Sequence, residues 1–278
     1  MSIVLLDIVH TYGEAGTKGV PAHTFFFHRV QPKNIPPATM VLVEKEWMRL
    51  RHEFRDEKVV PFFESATPDG VAVHAAPYRV AVVFNRNVLR PKHIEPLYTA
   101  YHLEMLGQLI LVLTVEGTLV FAKKTNQRNQ FSGFGTVIDM IKHHEKQFPL
   151  HTMVAESLEH EAGRLADVTN IRALGVIRFD QGFRRGIDLA VIAESRFSEA
   201  EWSERFSASD QFSRELLFVE PTADALIEKV NEVEQSAGRF SPSAIATCYL
   251  LLKAYYGEGE AERFREAMHD HKYPLGYE

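Results

Sequence analysis

Residues 109–125, LILVLTVEGTLVFAKKT, constrain the fold more than any other stretch of the chain: two apolar β runs flank Glu116 and Gly117. Leucine, valine and phenylalanine fill both arms, and an acidic residue followed by glycine suits a hairpin turn. A second pair of runs, TNIRALGVIRF (169–179) and GIDLAVIAES (186–195), is joined by the basic turn DQGFRR. Between the two pairs lie a glycine-rich turn, FSGFGTVID (131–139), which leads into a further strand, and an exposed loop, IKHHEKQFPLH (141–151).

The helical signals interleave with these strands. In TMVAESLEHEAGRL (152–165), Met153, Val154, Leu158 and Ala162 recur at helical spacing, and Gly163 suits a C-terminal cap. The tail adds SEAEWSERF, TADALIEKVNEVEQ and SPSAIATCYLLLKAYY, the last opened by a Ser-Pro start signal. Earlier, QPKNIPPAT and ATPDG punctuate the chain as loops or turns. Between them MVLVEKEWMRLRHEFRD reads as a short strand running into a helix, and VAVHAAPYRVAVVFN clusters valine in strand fashion. RPKHIEPLYTAYHLEMLGQ suits a helix or a connecting loop. The chain therefore reads as α/β with three segments: an N-terminal α+β region at 1–107 of unknown role, a central domain at 108–220, and C-terminal helices at 221–278.

Bulk properties exclude several classes. A net charge of −6 lacks the basic balance of a general nucleic-acid binder. The single cysteine, Cys248, excludes an intramolecular disulfide and a multi-cysteine zinc site, and its apolar surroundings make it a small core residue. LILVLTV at 109–115 is far short of a membrane span, and MSIVLLDIVHTYGE lacks a signal peptide's basic start and cleavage site. A cytoplasmic protein without membrane association is expected, and a homodimer is left open. No P-loop, G-x-S-x-G, H-E-x-x-H or dinucleotide fingerprint occurs.

The order of hairpin, glycine turn, strand, loop, Glu-bearing helix and two strands resembles the Nudix superfamily over roughly residues 108–220. The family signature is G-x5-E-x7-R-E-U-x-E-E-x-G-U, with U a bulky apolar residue. The resemblance implies an α/β/α sandwich around a mixed sheet, and hydrolysis of a nucleoside diphosphate linked to another group. Mg²⁺ or Mn²⁺ would assist, since hard cations neutralise pyrophosphate and activate water through oxygen ligands.

The match is partial. Setting Gly163 on the motif glycine puts Leu158 on the apolar position and Glu161 on the second glutamate of the E-E pair. That register leaves Glu156 where arginine belongs, Ser157 and His160 where two carboxylates belong, and Arg164 on the final apolar position. A one-residue slip uses Glu156 and Glu159 as glutamates but loses the glycine and buries Ser157. The first register is preferred because Met153, Val154 and Leu158 then face the core, and apolar positions set a helix's rotation. The interval from Gly135 to the helix exceeds the signature, which implies an inserted loop.

By resemblance, the candidate catalytic residues are Glu161, Glu159 and Glu156, and the candidate metal ligands are Glu161, Glu159 and His160. Imidazole suits manganese, zinc or iron better than magnesium. Glu156, Glu159, Glu145, Asp139, Asp188, Glu194 and Glu215 are the carboxylates that could replace the missing ones. Phe131 and Phe134 could stack on a base beside Asn126, Gln127 and Gln130. Arg184 and Arg185, with Arg79 and Arg86, could clamp phosphate. Histidines 143–144, 269 and 271 lie in polar surroundings, and His151 and His160 flank the helix. The leading expectation is a divergent Nudix-like protein that binds a nucleotide or other phosphorylated small molecule, with hydrolysis weakened or lost. The alternatives are an active metal-dependent pyrophosphohydrolase with a relocated metal site, and a protein-interaction module with a vestigial cleft.

Overall fold

The computed structural model describes residues 5–13, 16–31, 34–51, 58–85, 103–125, 129–135, 137, 140, 145–180, 185–271 and 275–277. Among them, in chain order, come β1 (Leu5–Thr11), β2 (Val20–Pro21), β3 (Phe26–Arg29), α1 (Pro37–Leu50), β4 (Val59–Thr67), β5 (Gly70–Pro77) and α2 (Tyr78–Asn85). The central part supplies β6 (Leu106–Leu113), β7 (Leu119–Lys124), β8 (Gln130–Ser132), β9 (Gln147–Pro149), α3 (Leu150–Ala162), β10 (Val168–Asp180) and β11 (Arg185–Ser195). The chain continues with α4 (Glu199–Arg205), β12 (Phe212–Val219), α5 (Ala223–Gln235), β13 (Arg239–Phe240), α6 (Pro242–Tyr256), α7 (Glu258–Asp270) and β14 (Leu275–Tyr277).

The larger sheet is mixed and open, in the order β13-β8-β7-β6-β11-β10-β1-β14, with β12 on β7 and β2 on β10. β6 lies near its middle, parallel to β11 and antiparallel to β7, and every residue of it is buried. Its side chains divide between the two faces. Leu109, Leu111 and Leu113 join Ala190 and Ile192 beneath α5, α6 and α7. Leu106, Ile110 and Val112 join Ile187, Leu189 and Val191 beneath α3. Alternate side chains of a strand point to opposite faces, so helices on both sides account for runs with almost no polar residues. The result is an α/β fold with a sheet between helical layers.

The segment boundaries drawn from the sequence are not boundaries of the sheet. β1 pairs antiparallel with β10, and Leu6 and Ile8 enter the cluster beneath α6. The C-terminal helices cover one whole face of the central strands. A smaller sheet, β4-β5-β3-β9, draws β9 from the central segment.

Three local readings change. Residues 37–50 are helical throughout: prolines 36 and 37 open α1, and Val43 and Trp47, four apart, are buried. VAVHAAPYRVAVVFN is a strand only to Pro77. Its second half is α2, with Val80 to Phe84 all buried, so packing overrides the valines' β preference. The loop at 141–151 contains β9, which pairs with β3, and its end begins α3. The readings at 86–102 and at histidines 143–144 lie outside the described residues. Cys248 is buried in α6, as its apolar setting implied. Among the described residues, no helix is long and apolar enough to cross a membrane.

Candidate functional site

Gly135, Gln108, Ser157 and Glu161 meet in the seam between β6 and α3. The seam begins with a backbone pairing. Ile110 and Phe134 exchange amide hydrogen bonds of 2.6 and 2.9 Å, which pins the glycine turn to β6 and sets Gly135 against Gln108. A Cβ at Gly135 would lie 1.9 Å from the Gln108 carbonyl oxygen, and its φ of +155° is one that side chains resist. Glycine is required there on both grounds.

Gln108 is a buried polar residue in an otherwise apolar strand, on the face that meets α3. Its Nε2 donates to the Met153 carbonyl at 3.0 Å and to the Ser157 hydroxyl. Because the Met153 carbonyl can only accept, the amide orientation is fixed. One turn further along α3, Glu161 is 3% exposed, and its Oε2 accepts from the Gly135 N–H. Burial pushes the Glu161 carboxyl up to about 7, against the opposing pulls of the Gly135 amide and nearby Lys124. Among the described residues, Gln108 Oε1 and Glu161 Oε1 have no hydrogen-bond partner.

The C-terminal end of α3 borders a cleft of about 630 Å³, lined by His160, Glu161, Ala162, Gly163, Arg205, Ser207, Ala208 and Ser209. Gly163 closes the helix with φ +55°, its N–H bonded to the Glu159 carbonyl. Arg205 arrives on the last turn of α4, a short helix started by a reciprocal Ser198–Glu201 capping box. Arg205 pairs with Glu201 at 3.2 Å and lies 5.1 Å from the Phe197 ring centre. Beyond it, the Ser209 hydroxyl accepts from the Gln211 and Phe212 amides and fixes the turn into β12.

The expected rotation of α3 holds: Met153, Val154 and Leu158 are buried. Of the three named carboxylates on α3, Glu161 alone is buried. Glu159 and His160 are exposed and Glu156 is half-buried. Phe131 and Phe134 are core residues, not base-stacking platforms. Phe134 is fully buried among Trp202, Phe206 and Phe212, and Phe131 is 5% exposed beside Phe240. Arg79 pairs with Glu44 at 2.6 Å, away from the seam. Arg86, Arg184, Asn126, Gln127 and Asp139 lie outside the described residues, as does the side chain of Arg185. Asp188 accepts from Ser243, Glu194 from Asn170 and Glu215 from Lys123, and Glu145 is exposed. Among the described residues, no three His, Cys, Asp or Glu side chains are grouped to hold a metal. Among the described residues, the donors at the seam do not make the oxygen set that a hard divalent cation takes.

Sequence reasoning missed Gln108, Arg205, Ser207 and Ser209. Gln108 had a signal, as the polar exception in LGQLILVL. The other three had none, because a turn after an amphipathic helix carries no mark of what it will face.

No family model matches the chain, and no curated protein matches it in sequence. Among solved structures, DR0079 from Deinococcus radiodurans aligns with 51% of this chain and 80% of its own length, at 11% identity and a TM-score of 0.31. That likeness is too slight to bear on fold or function.

Proposed function

We propose that the chain is a divergent Nudix-like protein that binds a phosphorylated small molecule, a nucleotide first among them, in the cleft at the end of α3. On this reading, ordinary Nudix hydrolysis is weakened or lost. The observation that carries it is Glu161, a lone buried carboxyl in the cleft wall, with Ser157 engaged by Gln108 and His160 exposed where the signature has two further carboxylates.

Electrostatics decides what such a cleft can hold. The carbonyl ends of α3 and α4 oppose an anion by about 0.3–1 kcal/mol each. A hydrogen bond from the Arg205 guanidinium to phosphate contributes about 1.5–3 kcal/mol, and a protonated His160 adds to it. The arginine outweighs the helix ends, so affinity should rest on Arg205.

Thermal-shift and calorimetric titrations with nucleoside mono- and diphosphates, ribose 5-phosphate and inorganic phosphate test the proposal. Stabilisation that Arg205→Ala removes supports it. A panel without any shift, or metal-dependent phosphate release at ordinary enzyme rates, ends it. One observation favours the interaction-module alternative: Val41 and Met48, seven residues apart on α1, are 68% and 52% exposed.

A further inference from the structure

We infer that Glu161 is an internal brace for the Gly135 turn, and that the seam beneath this turn is built to work without a divalent cation. The inference relies on the Nudix-like reading for the metal it argues against, and on the contacts alone for the brace. A hard cation needs about six oxygen ligands with their lone pairs turned towards it. Here N–H groups occupy the inner positions instead. The Gly135 amide points at Glu161 Oε2, and the Gln108 amide nitrogen points at the Ser157 hydroxyl.

Both donors place partial positive charge against oxygens that a cation would have to share, Glu161 Oε2 and Ser157 Oγ. Neither can be turned away cheaply. Gly135 is fixed by the Ile110–Phe134 pairing, and Gln108 by the Met153 carbonyl. Among the described residues, the two oxygens that remain, Gln108 Oε1 and Glu161 Oε1, are shielded from solvent and fall far short of an octahedral set. Two acceptors of this kind suit a buried water. Glu159 and His160 are exposed, and among the described residues no three such side chains are grouped to hold a metal.

The test combines Mn²⁺ titration followed by electron paramagnetic resonance with thermal melts in EDTA, in wild type, Glu161→Gln and Glu161→Leu. The brace predicts no saturable Mn²⁺ binding tighter than about 1 mM. It also predicts identical melting with and without EDTA. Glu161→Gln should melt no lower than wild type, because the amide oxygen still accepts from Gly135. Glu161→Leu strands that N–H and should melt about 5 °C lower or fail to fold. A stoichiometric Mn²⁺ site abolished by Glu161→Gln overturns the inference, and so does a large loss of stability in Glu161→Gln without metal binding. Should no phosphorylated compound bind while these melts come out as expected, the proposed function fails and the brace stands.

Discussion

The backbone N–H of Gly135 is bonded to the side chain of Glu161, 26 positions away in the chain, across the seam between a central strand and the helix packed on it. This contact joins the glycine turn to the end of α3. Burial of the same carboxyl favours its neutral form, against the opposing pull of the Gly135 amide.

The raised pKa of Glu161 gives stability a definite slope with pH. Burial pushes the folded group up to about 7 from the ordinary glutamate value of 4.5, so the native state binds more protons between those values. Stability contributed by the protonated acid is full below about 4.5 and is lost as pH rises to about 7, by about 3 kcal/mol in all. Glu161→Gln should remove this slope and leave the variant more stable than wild type at pH 8. Urea unfolding of both proteins at pH 5 and pH 8 checks it, and parallel pH profiles would contradict it.

Two glycines should differ sharply. Gly135→Ala drives a methyl into the Gln108 carbonyl, and its loss should exceed about 3 kcal/mol. Gly163→Ala meets nothing within 4 Å, so only its φ of +55° resists, at about 1–3 kcal/mol. Equal losses in denaturant titrations would mean that the turn yields at Gly135.

On the Nudix-like reading, placing a carboxylate at position 157 should not create catalysis. Ser157 is 2% exposed and accepts the Gln108 amide, so Ser157→Glu forces a larger, ionisable group into a filled space. A loss of more than about 3 kcal/mol is expected, with no gain of nucleoside-diphosphate hydrolysis. A folded Ser157→Glu variant with new metal-dependent turnover would refute it.

Arg205→Ala should separate binding from folding. The Arg205 side chain is 47% exposed and its pair with Glu201 is a surface one, worth about 1 kcal/mol or less. Melting of the free protein should barely change, while affinity for a phosphorylated ligand falls about tenfold or more. Unchanged affinity, measured by calorimetry, would move the binding site elsewhere.

Core and site trade places at Phe134. A ligand-stacking ring would lose affinity alone on truncation. A ring buried among Trp202, Phe206 and Phe212 should instead cost about 3–5 kcal/mol of stability in Phe134→Ala. Comparison of unfolding with ligand titration distinguishes the two.

The sequence by itself determined the elements whose pattern repeats within one segment. The hairpin at Glu116–Gly117, the β10 and β11 runs, the rotation of α3 with Leu158 inward, and the Ser-Pro start of α6 all depend on neighbours a few residues apart. Tertiary structure decided the rest. Whether α2's valines lie in a strand or a helix depends on the surface against which they pack. Phe134 stands beside Trp202 because the Ile110 pairing holds it there. The Gly135–Glu161 contact, the Gln108 donor beneath Ser157 and the approach of Arg205 to the end of α3 join positions far apart in the chain. Only burial of the shared core brings such groups within hydrogen-bonding reach, and no local pattern encodes that distance.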